Sequence, residues 1–199
     1  MNELQAFLNL YLKFFFVLTP FFVTSMFLTM TKDFDSPQRR KIALRVMLAV
    51  ITICFTLYLF GDYIFTVFGI TIDAFRVGAG ALLFLSAVSL IQGSGSRPSG
   101  SAMEDVSVVP LAIPITVGPA TVGVLLIMSG EAHGFSEKIL TLSALLAAIF
   151  SVGILLYLSG QLERWLGTRG LAILSKITGL ILASMAAQMI FTGAKNLLK

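Results

Sequence analysis

Apolar residues in this chain run in six long stretches, at about 5–30, 40–60, 75–92, 106–128, 138–160 and 173–194. Each is mainly apolar over a length that suits a membrane span. Crossing a bilayer takes roughly 20 mainly apolar residues at ~1.5 Å of rise each. Polar or glycine-rich segments separate the stretches, at 31–39, 61–73, 93–105, 129–137 and 161–171. The pattern predicts an all-α polytopic membrane protein with six transmembrane helices.

The stretches fall into two groups of three. Residues 93–100 read GSGSRPSG, a flexible linker composition. They lead to the expectation of a first three-helix repeat over 1–93, a linker over 94–105 and a second repeat over 106–199, together one membrane domain. The halves share features in the same order. Leu57-Tyr58-Leu59-Phe60-Gly61 returns as Leu156-Tyr157-Leu158-Ser159-Gly160, and Pro20 returns as Pro119, both 99 positions later. Arg76 and Gly93 bound the third stretch as Lys176 and Gly193 bound the sixth. Three crossings are an odd number, so the second half enters from the opposite side. The repeats are then inverted, an architecture common among secondary transporters.

Charge adds orientation. Lys32, Arg39, Arg40, Lys41, Arg45, Arg97, Arg164, Arg169 and Lys176 fall on one side; Lys13, Arg76, Lys138, Lys195 and Lys199 fall on the other. The richer side is expected in the cytoplasm, with both termini outside a bacterial or archaeal inner membrane. Tyr157 and Trp165 suit the cytoplasmic interface. The composition agrees: 57% of the 199 residues are hydrophobic and 12% charged, where a soluble domain carries about 25% charged. The formal charge of +4 belongs to topology and not to nucleic acid. One His and one Cys leave no expected zinc or haem centre and no intrachain disulfide. No cleavable signal peptide is expected, because residues 1–12 lack a basic n-region.

Candidate chemistry lies where spans one and four are interrupted: Leu18-Thr19-Pro20-Phe21-Phe22 and Ile113-Pro114-Ile115-Thr116-Val117-Gly118-Pro119-Ala120. Proline removes a backbone donor and clashes with the preceding turn. In hydrocarbon the freed groups need protein or a bound solute. One such proline is an ordinary kink; two at matched positions of two halves mark a transporter's binding site. A broken helix offers orphan N–H groups to a carboxylate and orphan carbonyls to an ammonium. The candidate site therefore comprises Thr19, Pro20, Phe21, Thr24, Thr116, Gly118, Pro119, Ala120 and Thr121, with Gly118 and Ala120 permitting close backbone approach. Gln188 joins them as a pathway residue or as interhelical glue. Composition and spacing by themselves imply a small polar solute.

Of the remaining polar groups, Lys13 reads as a snorkelling side chain, and Arg76 as an interface anchor beside Asp73. His133 reads as a loop residue and Cys54 as core filler. Gly179, Ala183 and Ala187 read as a close-packing stripe. All ten acidic residues lie in loops or near span ends, so the usual intramembrane carboxylate relay is missing. A coupling ion, H⁺ or Na⁺, would then use backbone carbonyls, Lys13 or the substrate.

Pro110-Leu111-Ala112-Ile113-Pro114 with Gly118-Pro119-Ala120 resembles the signature of MarC-type integral membrane proteins. Gly69-Ile70, Phe75-Arg76-Val77-Gly78-Ala79-Gly80, and Lys176-Ile177-Thr178-Gly179-Leu180-Ile181-Leu182-Ala183 with Gln188-Met189 fit the same pattern. The resemblance spans almost the whole chain. That family includes SnatA-type transporters, so the resemblance implies transport of small neutral amino acids such as glycine, alanine, serine or threonine. One departure stands in span one. The family's Asn-Pro, followed two residues later by Gly, is here Thr19-Pro20 followed by Phe21-Phe22. A channel or an exporter of other small solutes or drugs is the alternative. An intramembrane enzyme is not expected, since no Ser-His, Asp-Asp or His-rich constellation lies within the spans.

Overall fold

The computed structural model describes residues 3–93, 116–131 and 134–198, and over these the chain is helical. The elements are α1 (Glu3–Val17), α2 (Pro20–Met30), α3 (Ser36–Phe68), α4 (Ile72–Gln92), α5 (Pro119–Glu131), α6 (Phe135–Tyr157) and α7 (Ser159–Leu197). Five segments are long and apolar enough to cross a bilayer: Glu3–Met30, Ser36–Gly61, Ile72–Gln92, Phe135–Tyr157 and Ser159–Leu197. A sixth apolar helix, α5, is shorter. At ~1.5 Å per residue its 13 residues reach about two-thirds of a ~30 Å hydrocarbon core. The linker expected at 94–105, most of the first half of span four, and His133 lie outside the described residues.

Two expected loops are helix instead. The segment expected at 61–73 shrinks to a few residues around Gly69 (φ 62°), which caps α3 in the left-handed region. Gly61 sits inside α3, where a Cβ would lie 2.8 Å from the Ser129 side chain. Here glycine admits a neighbouring helix and does not end its own. The segment expected at 161–171 belongs to α7, interrupted only at Gly167 (φ 64°, ψ 172°). Leu158 alone separates α6 from α7.

Packing follows a consistent plan. α4 and α7 form the largest contact; α2 lies on α7 and α5 on α4; α1 lies on α6 and α3 on α5; α3 also touches α6. Small residues set the α4–α7 approach. A Cβ on Gly80 would meet Ile190 at 2.7 Å, and one on Gly179 would meet the Ala87 carbonyl at 2.9 Å. Backbones that close gain dispersion, which drives helix association where lipid supplies no hydrophobic force. Polar ties across helices include the Tyr11 hydroxyl to Ser151 Oγ at 2.9 Å, and Ser129 Oγ to the Tyr58 carbonyl at 2.6 Å.

Two apolar clusters form the interior. One gathers Phe14, Leu18, Phe27, Val50, Leu125 and Ile149 with their neighbours. The other gathers Val17, Leu83, Leu90, Ala120, Val124 and Leu182. The α1–α2 break contributes to both, through Leu18 and Val17. So does the entry to α5, through Val117 just before it to the first and Ala120 in its first turn to the second. The breaks thus form the seam between the clusters.

Candidate functional site

The first break is built by Thr19 and Pro20. Proline disfavours the right-handed helical conformation of the residue before it, and Thr19 adopts φ 47°, ψ 55°. It is the only non-glycine residue at positive φ among the described residues. That conformation costs an L-residue about 1–2 kcal/mol. The ladder closes early: Leu18 N–H donates to the Phe14 carbonyl at 3.0 Å and Thr19 N–H to the Phe16 carbonyl at 2.9 Å. The Thr19 carbonyl then accepts from Val23 N–H at 2.9 Å and starts α2. The carbonyls of Val17 and Leu18 fall outside both ladders, as do the N–H groups of Phe21 and Phe22 in the first turn of α2.

The second break repeats the cap. Pro119 opens α5, and the Gly118 carbonyl accepts from Val122 N–H at 3.0 Å. Gly118 stands 99 positions after Thr19, and Val122 stands 99 after Val23. The left-handed conformation of Thr19 is not repeated at Gly118, so the two caps match in hydrogen bonding and not in backbone strain.

The two breaks meet on one side chain. Thr121 Oγ1 lies 3.4 Å from the Val17 carbonyl oxygen and 3.4 Å from the Thr116 carbonyl oxygen. Thr116 again stands 99 positions after Val17. A hydroxyl carries one proton, so Thr121 donates to one carbonyl at a time. Both distances exceed the 2.5–3.0 Å of a firm O–H···O bond. The contact is therefore loose, and the Thr121 hydroxyl stands between two carbonyls of the buried seam. Thr121, Thr116, Val17 and Ala120 are all buried.

The other candidates divide. Thr24 is fully buried, but its hydroxyl donates to the Pro20 carbonyl at 2.7 Å within its own helix. Thr19 is half-buried, and its hydroxyl makes no cap bond. Pro20 is buried; Gly118 and Phe21 are half-buried, the Phe21 ring standing edge-on to Phe15 with centroids 6.3 Å apart. Gln188 is not buried with this group: it is exposed on α7. Its amide invites assignment to a pathway, but rotation of α7 turns it outward. Val17 was absent from the sequence-based set, since it contributes a backbone carbonyl and its side chain is mute. The proline three residues later is the signal that could have flagged it.

At the other end of α4, Arg76 pairs with Asp73 at 2.5 Å and also with Glu131 at the end of α5. Asn196 Nδ2 donates to Asp73 Oδ1 at 3.1 Å. The guanidinium is thus engaged by two carboxylates and ties α4 to α5, with α7 joined through Asp73. That arrangement fits an anchor. Lys13 is exposed on α1, in keeping with a snorkelling side chain.

Chemically, the seam presents acceptors at Val17, Leu18 and Thr116, donors at Phe21 and Phe22, and the Thr121 hydroxyl between. Among the described residues it has no charged side chain. Such a set suits a small solute with a cationic and an anionic end.

Comparison with known proteins agrees with a membrane assignment. The profile described as "MarC family integral membrane protein" matches residues 4–198. A UPF0056 membrane protein of Methanocaldococcus jannaschii is 30% identical, over 98% of this chain and 99% of its own length. One from Pyrococcus abyssi is 31% identical over 98% of each chain, and one from Aquifex aeolicus 29% over 97% of this chain and 94% of its own length. No solved structure matches.

Proposed function

Because this chain belongs to the MarC family of integral membrane proteins, we propose that it is a secondary transporter of small neutral amino acids working by alternating access. Glycine, alanine, serine and threonine are its substrates in this reading. The carrying observation is the convergence of the Val17 and Thr116 carbonyls, one from each break, on the Thr121 hydroxyl. The Val17 carbonyl lies outside both helical ladders with one weak donor in reach, and the Thr116 carbonyl converges on the same hydroxyl, so the three donors of an ammonium group can engage this acceptor pair. The α2 N-terminus offers Phe21 and Phe22 N–H groups and a positive dipole end to the carboxylate. Small residues at Gly118 and Ala120 suit a solute with a small side chain.

The reading includes six spans in two inverted repeats. Support comes from the matched caps at Thr19 and Gly118, and from the pairing of α2 with α7 as α5 pairs with α4. An inner-membrane location with both termini outside, and coupling to H⁺ or Na⁺ through break carbonyls, complete it. Alternating access would open the seam to one side and then the other as the clusters rock apart.

Uptake of labelled amino acids into proteoliposomes, with and without H⁺ or Na⁺ gradients, tests the reading. Glycine, alanine, serine and threonine should compete with one another, and lysine, glutamate and tryptophan should not. Competition by a charged amino acid equal to that by alanine refutes it. A second reading, export of larger apolar solutes, draws on half-buried Phe15, Phe16, Phe21 and Phe22 around the first break. Gradient-driven efflux of a lipophilic cation, with no amino-acid transport, would favour it.

A further inference from the structure

A cavity of about 460 Å³ lies far from the breaks in sequence, between the start of α3 and the α6–α7 junction. Arg39, Arg40 and Arg164 line it, with Tyr157, Ser159 and Glu163 among the other contributors. Three guanidinium groups against one carboxylate leave an excess of positive charge. None of the three arginines forms an ion pair among the described residues. The positive-inside rule explains why basic residues occupy such loops. It does not explain why three of them converge on one cavity.

Two of the three are held in place. Arg39 donates through Nε to the Thr31 carbonyl at 2.9 Å and through Nη2 to the Lys32 carbonyl at 3.0 Å. That grip leaves Nη1 to point elsewhere. The Arg40 guanidinium lies 5.0 Å from the Tyr157 ring centroid, a stacking that orients its planar fork. Opposite them begins α7, whose first N–H groups at Ser159 and Gly160 lie at the positive end of a helix dipole.

Ser159 is the second, independent sign of a ligand. It is 2% exposed, it lines the cavity, and its hydroxyl makes no hydrogen bond among the described residues. With no protein partner among the described residues and an open face on the cavity, the hydroxyl is free to donate to a ligand oxygen there. Forked guanidinium groups, backbone N–H groups and a hydroxyl together match the oxygens of a phosphate group. Exposed Trp165 follows Arg164 directly, as suits a site at the headgroup level of a bilayer.

We propose that this cavity is a phosphate-binding site, filled by the phosphodiester of an anionic phospholipid headgroup or by free phosphate. Arg40 and Arg164 grip the oxygens, Arg39 supplies its remaining amine, and Ser159 donates its hydroxyl. The proposal is independent of the transported solute.

The test uses the full chain, purified and reconstituted in nanodiscs of phosphatidylcholine alone or with phosphatidylglycerol, and in detergent with or without inorganic phosphate. Thermal unfolding and native mass spectrometry of retained lipid are read. A midpoint raised by phosphatidylglycerol, with lipid retained, identifies the headgroup. A midpoint raised by inorganic phosphate beyond chloride of equal ionic strength identifies the free anion. Either response should fall at least tenfold in apparent affinity in Arg40→Gln/Arg164→Gln. It should fall about fivefold in Ser159→Ala, which removes one hydrogen bond and leaves charge unchanged. Lys41→Gln/Arg169→Gln makes the same net charge change at exposed positions that do not line the cavity, and should respond as the parent does. The proposal is overturned if neither phosphate source stabilises the parent beyond its control. It is overturned equally if the Lys41/Arg169 variant loses as much as the Arg40/Arg164 variant, or if Ser159→Ala binds as tightly as the parent.

Discussion

Replacing Thr121 by valine removes the hydroxyl that stands between the two break carbonyls and changes almost nothing else. The side chain is buried, and valine has nearly the same shape. A methyl in place of Oγ1 would stand about 3.4 Å from the Val17 and Thr116 oxygens, an ordinary carbon–oxygen contact. Steric strain is therefore small. A hydrogen bond contributes about 0.5–1.5 kcal/mol net. At 3.4 Å, with one proton divided between two acceptors, the low end applies. We expect the substrate-free protein to lose about 0.5 kcal/mol. With substrate bound, the hydroxyl becomes a partner of the solute, and its removal should cost about 1 kcal/mol, or roughly fivefold in affinity. The variant should thus be impaired in binding more than in stability. Thr121→Ser, which keeps the hydroxyl and drops a methyl, should restore affinity while losing some packing. The assay is substrate-dependent thermal stabilisation alongside proteoliposome uptake, with Val124→Ala as a packing control on the same helix. If Thr121→Val binds and transports as the parent does, or if Thr121→Ser fails to recover affinity, the convergence of the two breaks is structural only.

Gly118→Val should abolish transport while the protein still inserts and remains monodisperse, because a branched side chain would occupy the approach to the second break; normal uptake would mean that this break is a kink. On α4, Gly80→Ala should destabilise by about 1–3 kcal/mol, since its Cβ would lie 2.7 Å from Ile190 and 3.1 Å from the Ala186 carbonyl. Gly78→Ala, with nothing within 4 Å, should instead gain about 0.5–1 kcal/mol from helix propensity, both read by thermal unfolding of purified protein. Phosphatase and fluorescent reporters fused after Lys199 should place the C-terminus outside; a cytoplasmic signal would remove the proposed orientation.

What the sequence determined by itself is what depends on local chemistry and on hydrophobicity. Membrane insertion depends on transfer free energy summed over a stretch, so the apolar runs were legible without any contact information. The break at Thr19-Pro20 was legible because proline's missing N–H and its restriction of the preceding residue act within one turn. Family membership was legible from the glycine and proline motifs of spans three, four and six. Element ends were less so. Gly61 and the segment at 161–171 read as loops, because glycine and polar residues favour turns in isolation. Within the fold Gly61 instead admits the Ser129 side chain, and the second segment is helical apart from Gly167.

Only the tertiary structure decided which groups share a site. Helix rotation turns Gln188 to an exposed face and leaves Thr24 to its own helix, a matter of a fraction of a turn that span-level hydrophobicity does not encode. Packing of α1 and α5 into the two apolar clusters brings the Val17 carbonyl to Thr121, 104 residues away in sequence. Close approach of the α3 start to the α6–α7 junction gathers three arginines that sequence reading had assigned to topology alone. Carbonyls have no side-chain signature, and convergence is a property of distance in space. Neither is written in residue type or spacing until the helices have packed.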